Sequence, residues 1–154
     1  MEIVTTTSLA HQPGPLTRVV RAFVETQRAL LAEGIHSAAD WAPLAEFVET
    51  GGFKRVGAYL EELDWAAFTR FLTGWTAGGT RFEMTEFHIS EIGNAVFQEI
   101  EERHFRGDEF IRKNVIAVYR FSDAGRIVHL DIYEQARDSG RWITEAAENA
   151  VEPA

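Results

Sequence analysis

No cysteine occurs among the 154 residues, so the fold relies on no disulfide and the chemistry on no thiolate. Basic residues are in deficit, 15 Lys and Arg against 24 Asp and Glu, giving a net charge of -9. A surface of that sign does not favour nucleic acid or anionic lipid, since both reward positive charge. No apolar run approaches the roughly 18 residues of a membrane span. The opening "MEIVTTTSLAHQPG" lacks the basic start and apolar core of a signal peptide, and a cytoplasmic protein is expected. Several catalytic signatures are missing as well: there is no HxH, HExxH, nucleophile elbow, GxGxxG or phosphate-binding loop. The histidines His11, His36, His88, His104 and His129 are scattered. A metal site would require His104, His129, Asp131 and Glu102 to converge, and no metal is expected.

What is present is an ordinary globular composition, 45% hydrophobic and 25% charged. It predicts one domain over 1–154, with a loose leader at about 1–14 and a fraying tail at about 145–154. Helix signals come first. "LTRVVRAFVETQRALLAEG" aligns Val19, Phe23, Gln27, Leu30 and Leu31 and stops at Gly34. "SAADWAPLAEFVET" predicts a second helical segment over 37–50, capped by Ser37 or Asp40. "FKRVGAYL" reads as a short strand or an irregular link, and "DWAAFTRFLTGWT" as a helix capped by Asp64. After Gly78-Gly79 come four strand-length runs, "RFEMTEFHISEIG", "NAVFQEIEERHF", "EFIRKNVIAVYRF" and "RIVHLDIYEQ", separated by short turns. A short helix is expected around "WITEAAENA". Helices followed by an antiparallel meander indicate an α+β fold.

Strand alternation supplies the chemical signal. Gln98, Ile100, Glu102 and His104 share one face of their strand. Asn114, Ile116 and Val118 share a face of the next, and His129, Asp131 and Tyr133 a face of the last. Grouped on one face of the sheet, these residues would set carboxylates among apolar side chains. Desolvation and mutual repulsion then raise a carboxylate's pKa toward the range useful to a general acid or base. The alternative is a solvated sheet face whose polar residues meet only water. Trp41, Trp65, Phe68, Phe71 and Trp75 have the spacing of core residues, and some of them could line an aromatic pocket.

The segments "DWAAFTRFLTGW", "FHISEIGNAVFQEIEERHF" and "NVIAVYRFSDAGRIVHLDIYE" resemble the SnoaL-like and limonene-epoxide-hydrolase-like branches of the NTF2-like superfamily. The resemblance implies a conical barrel, with N-terminal helices packed on a strongly curved, mixed and largely antiparallel sheet around a deep apolar pocket. Homodimers through the outer face of the sheet are expected. Epoxide hydrolases of this type use an Asp-Arg-Asp arrangement. Asp131 matches the second acid, Tyr133 the adjoining aromatic place and Glu102 the first acid, while Ile100 occupies the arginine position. That departure removes the charged clamp and counts against epoxide hydrolysis.

The resemblance therefore implies cofactor-independent acid/base catalysis of isomerase or cyclase type. Asp131 would be the base, His129, His104 or Glu102 the acid, and Tyr133 the stabiliser of developing negative charge. Gln98, Ile100, Asn114, Ile116, Val118, Trp65, Phe68 and Trp75 would contact a polyketide-, terpenoid- or steroid-like molecule. An epoxide hydrolase and a non-catalytic small-molecule binder are the alternatives.

Overall fold

The computed structural model describes residues 13–77, 79–136 and 141–151, with side chains in the last stretch from 145 onward. Most of the expected leader, His11, and the last three residues of the expected tail lie outside the described residues. Helix α1, Pro15–Glu33, begins with a proline where no backbone N–H is needed, and ends at Gly34 with a φ of 97° that suits glycine. Thr17, Val20 and Phe23 form its buried stripe. A 3-10 turn, Ala38–Trp41, leads into the short helix α2, Ala42–Ala45.

The helix expected over 37–50 thus ends early. Val48 forms a parallel bridge with Ile127. The Ile127 N–H donates to the Phe47 carbonyl and the Glu49 N–H to the Ile127 carbonyl, both at 2.9 Å. Backbone groups that a longer helix would have paired internally are used by the sheet instead.

Strands β1, Lys54–Val56, and β2, Glu62–Leu63, precede helix α3, Trp65–Thr76. Asp64 caps α3 by accepting from the Ala67 N–H at 2.8 Å. Four long strands follow: β3 Arg81–Ile92, β4 Ala95–Arg106, β5 Glu109–Phe121 and β6 Ile127–Ala136. Helix α4, Arg141–Val151, packs on α3. No helix among the described residues is long and apolar enough to cross a membrane.

The strand order is β2-β1-β6-β5-β4-β3, antiparallel throughout except for the parallel pair β1 and β6. The fold is α+β, with N-terminal helices on a mixed, largely antiparallel sheet. The expected conical barrel with a strongly curved sheet is not formed. The sheet is open, its edges β2 and β3 do not pair, and it is not strongly curled. Closure would require a ladder between those edges, and β2 is two residues long. Trp41, Phe23, Leu44, Leu63, Leu72, Ile127 and Val96 are fully buried between the helices and one sheet face. Glu91 of β3 ties the start of α1 to that sheet by accepting from the Thr17 N–H at 2.7 Å and the Thr17 hydroxyl at 3.1 Å.

One irregularity decides which side chains reach the interior. Phe121 pairs with Ile127 but Arg120 with His129, so Val128 is an extra residue in β6. A single extra residue reverses the alternation beyond it. Ile127 is buried, and past Val128 the inward positions are Leu130, Ile132 and Glu134, opposite Tyr119, Ala117 and Val115. His129, Asp131 and Tyr133 consequently share the outer face with Asn114, Ile116 and Val118. The single face expected to unite them with Glu102 and His104 does not exist. Leu130→Ala should therefore lose about 2–5 kcal/mol of stability, whereas Asp131→Ala, which affects only a partly exposed ion pair, should lose about 1 kcal/mol or less. Urea unfolding of the two variants measures the difference, and the reverse order would contradict the register.

Candidate functional site

Between the helices and the inner sheet face lies a cavity of about 90 Å³. Its helical wall is mainly apolar, with Phe23 and Val24 from α1 and Phe68, Phe71, Leu72 and Trp75 from α3. The sheet contributes Ile100, Ala117, Leu130 and Ile132, and also every ionisable group of the lining: Arg55, Glu102, His104, Lys113 and Tyr119. This follows from register. Glu102 is directly opposite Lys113, and His104 is two residues further along the same face of β4.

The charges form a connected set. Lys113 Nζ donates to Glu134 Oε2 at 2.9 Å and stands 3.6 Å from Glu102 Oε2. His104 Nε2 lies 3.0 Å from the same Glu102 oxygen. The His104 ring sits 5.3 Å from each of the rings of Trp75 and Phe82. Arg55 Nη1 is 3.7 Å from Glu61 Oε1, and the guanidinium carbon is 4.9 Å from the centre of the Phe71 ring.

Burial alone would push the Glu102 carboxyl upward. The Lys113 charge, the His104 hydrogen bond and charge, and the Arg55 charge outweigh it and hold the group at about 2. Glu102 is therefore ionised at neutral pH and accepts hydrogen bonds without donating. In bonding His104 Nε2 it favours the tautomer with the proton on that nitrogen, which makes Nδ1 the basic one. Burial, reinforced by the Glu102 charge, raises the Tyr119 phenol well above its ordinary value, so its hydroxyl keeps its proton and serves as a donor. Burial lowers Arg55, against the opposing charges of Glu61, Glu102 and Glu134.

Of the candidate site and aromatic residues singled out in the sequence, Gln98, Ile100, Glu102, His104, Phe68, Phe71 and Trp75 line this cavity. Trp65 packs on Phe53 and Phe68 outside the lining. On the outer face His129 Nε2 and Asp131 Oδ1 lie 2.9 Å apart, and Arg120 Nε is 3.9 Å from Asp131 Oδ2. Asn114, Ile116 and Tyr133 border a separate outer concavity of about 430 Å³, and Tyr133 is 60% exposed.

Four charged or polar participants escaped the sequence reading: Arg55, Lys113, Tyr119 and Glu134. Alternation in β5 holds the signal for two of them. Lys113 and Tyr119 share the face of Val115, Ala117 and Phe121, which is the more apolar side of that strand.

No family model and no curated protein sequence matches this chain, but solved structures do. An LEH-like epoxide hydrolase from M. tuberculosis aligns with a TM-score of 0.62 at 19% identity, over 88% of this chain and 94% of that one. A SnoaL-like protein named as a polyketide cyclase, from Jannaschia sp. CCS1, aligns with a TM-score of 0.60 at 11% identity, over 92% and 96% of the two chains. A steroid delta-isomerase from Pseudomonas aeruginosa gives a TM-score of 0.56 at 16% identity, over 89% and 94%. Further matches are NTF2-like proteins. The fold is thus NTF2-like in the broad sense, with LEH-like and SnoaL-like proteins among those that share it. At these identities the likeness describes architecture and carries no particular reaction.

The depressed Glu102 pKa has a measurable consequence. A carboxyl at about 2 in the folded chain against 4.5 in its ordinary state contributes stability that is present above pH 4.5 and lost as pH falls toward 2. The contribution is on the order of 3 kcal/mol. Glu102→Gln should be less stable than wild type at pH 7 by a similar amount, with the gap closing between pH 4.5 and 2. Urea titrations across that range measure it, and a gap that widens on acidification would contradict the assignment.

Proposed function

We propose that the cavity performs cofactor-independent acid/base catalysis on a small, largely apolar molecule carrying a carbonyl group, with His104 as the proton-transfer group. The observation that carries this reading is the buried His104–Glu102 pair at 3.0 Å, set in an aromatic wall beside Lys113. His104 Nδ1 takes a proton from the carbon next to the carbonyl, and the C–H electron pair moves through that carbon to the carbonyl oxygen, giving an enolate. The Tyr119 hydroxyl donates to that oxygen. The imidazolium, steadied by Glu102, returns the proton at another carbon of the conjugated system, which completes an isomerisation without any redox partner. In a cyclisation the enolate carbon attacks a second carbonyl carbon, and the resulting alkoxide takes the proton.

Glu102 is too weak a base at about 2 to do this work itself, and it orients and stabilises instead. Asp131, His129 and Tyr133 have no part in this scheme because they stand on the other face. A cavity of about 90 Å³ is small beside the roughly 300–1,000 Å³ of sites for drug-sized ligands. It excludes a steroid, and it takes a single-ring skeleton only if side chains of the wall move outward, since an apolar cavity of roughly 150 Å³ takes benzene.

Epoxide opening is the second reading, favoured by one observation. Lys113 bridges Glu102 and Glu134 and so supplies, from β5, the cation between two acids that Ile100 does not provide. His104 Nδ1, backed by Glu102, would take a proton from water, the water oxygen would attack an epoxide carbon as its C–O bond breaks, and Tyr119 would protonate the departing oxygen and recover a proton from the imidazolium.

Proton exchange of carvone, a monocyclic ketone, followed by NMR in deuterated water tests the first reading. Wild type should accelerate the exchange, His104→Gln should lower the rate by about 100-fold or more, and Asp131→Asn should change it less than about twofold. Hydrolysis of limonene epoxide, lost in Lys113→Met, would favour the second reading. Binding of both compounds without either reaction would identify a carrier.

A further inference from the structure

Three buried polar atoms without a hydrogen-bond partner among the described residues all belong to the lining of this one cavity: Arg55 Nη1, Trp75 Nε1 and Gln98 Oε1. Two are donors and one is an acceptor. The Gln98 amide is fixed in direction, because its nitrogen donates to Glu86 Oε2 at 3.1 Å and a carboxylate can only accept. Unmet polarity gathered in one cavity points to a ligand with a polar group of its own.

The two cations of the lining differ in one respect. Lys113 donates to Glu134 at 2.9 Å. Arg55 meets Glu61 only at 3.7 Å, beyond hydrogen-bond reach, and its Nη1 has no acceptor. Glu61 is held where it is by its loop. Its carboxylate accepts from the Tyr59 N–H at 2.9 Å and lies over Gly57, in the space a Cβ there would take. The guanidinium is steadied from one side by that carboxylate and from another by the Phe71 and Phe68 rings, with its centre 4.9 and 5.7 Å from theirs. A purely structural arginine would have its donors satisfied. Here the plane is held while a donor stays unused.

We infer that Arg55 is the oxygen anchor of the cavity: its Nη1 donates to the carbonyl, or epoxide, oxygen of the ligand and so sets which carbon faces His104. The ligand class is then an oxygenated small-ring compound rather than a hydrocarbon. Arg55 lies on β1 beside Leu130 of β6, whereas His104 lies on β4. The anchor and the proton-transfer group therefore occupy different parts of the sheet, an arrangement that orients a molecule spanning the space between them.

The inference rests on the proposed function for what it positions, but its test does not need turnover. Binding of carvone and of limonene, which has the same carbon skeleton without oxygen, is measured by calorimetry in wild type. Carvone should bind about 10- to 100-fold more tightly than limonene, the range expected for a hydrogen bond from a charged donor. Arg55→Met should reduce that preference to about twofold or less, and Arg55→Lys should restore part of it. Because Arg55→Met leaves Glu61 without its cation, the pair Arg55→Met and Glu61→Leu, which removes both charges, is measured beside it. Persistence of the carvone preference in these variants overturns the anchor, as does the lack of any preference in wild type. If the preference depends on Arg55 but wild type exchanges no proton, the anchor stands and the reaction falls.

Discussion

Lys113, placed between Glu134 at 2.9 Å and Glu102 at 3.6 Å, is the contact on which the interior depends. It joins neighbouring strands through side chains and compensates two carboxylates set in a wall of rings. Without a cation so near, burial would carry Glu102 toward the neutral form, and a protonated Glu102 would no longer hold His104 in a fixed tautomer or stabilise its charged state. The chain of dependence thus runs from Lys113 to Glu102, and from Glu102 to His104. Such a set is a poor device for stability alone, since replacing buried ion pairs with well-packed apolar residues is often neutral or stabilising. Its presence beside an open space, rather than in solid core, supports the proposed acid/base role.

The division of labour between layers makes this set effective. The helices supply rings and aliphatic groups, while all the ionisable lining comes from strands, where register fixes each side chain against its neighbours. Few water molecules fit in the cavity, so charges there interact more strongly than they would at the surface. Glu86 extends the arrangement outward: it accepts from Gln98 on the cavity side and pairs with Arg21 of α1 at 2.7 Å. One carboxylate thereby links the outer turn of a helix to the wall of the site.

Much of this was legible in the residue order. The four long strands follow the runs that alternate between turn formers, and α1 and α3 follow their apolar stripes, with Gly34 and Asp64 marking an end and a start. The face shared by Gln98, Ile100, Glu102 and His104 was also legible, because β4 lacks an irregularity along that stretch. The face of β6 was not. "GRIVHLDIYE" sets the apolar Val128, Leu130 and Ile132 against His129, Asp131 and Tyr133, but the resemblance implied that the polar set faces inward. The offset that leaves Val128 over once Phe121 pairs with Ile127 belongs to the pairing of two strands, and it turns Asp131 outward. Arg55 was hidden for another reason. Its strand is three residues long, too short for any period, and it becomes part of the cavity only through parallel pairing with β6.

The position of the interior cation shows why a motif match and a site can diverge within one fold. Matching by order along the chain sets Ile100 where an arginine would stand, and suggests that the link between two acids is lost. In this chain a cation does stand between two acids, and it is Lys113, one strand over and directly opposite Glu102. Adjacent inward positions on neighbouring strands present their side chains to nearly the same volume, so a charge can move between them while its electrostatic duty is kept. The same reasoning applies to the second acid: Glu134 rather than Asp131 meets the lysine, because the extra residue shifted the strand's inward set. The interior thus has two acids, a bridging lysine and an oriented histidine, with a second cation, Arg55, whose Nη1 has no acceptor among the described residues.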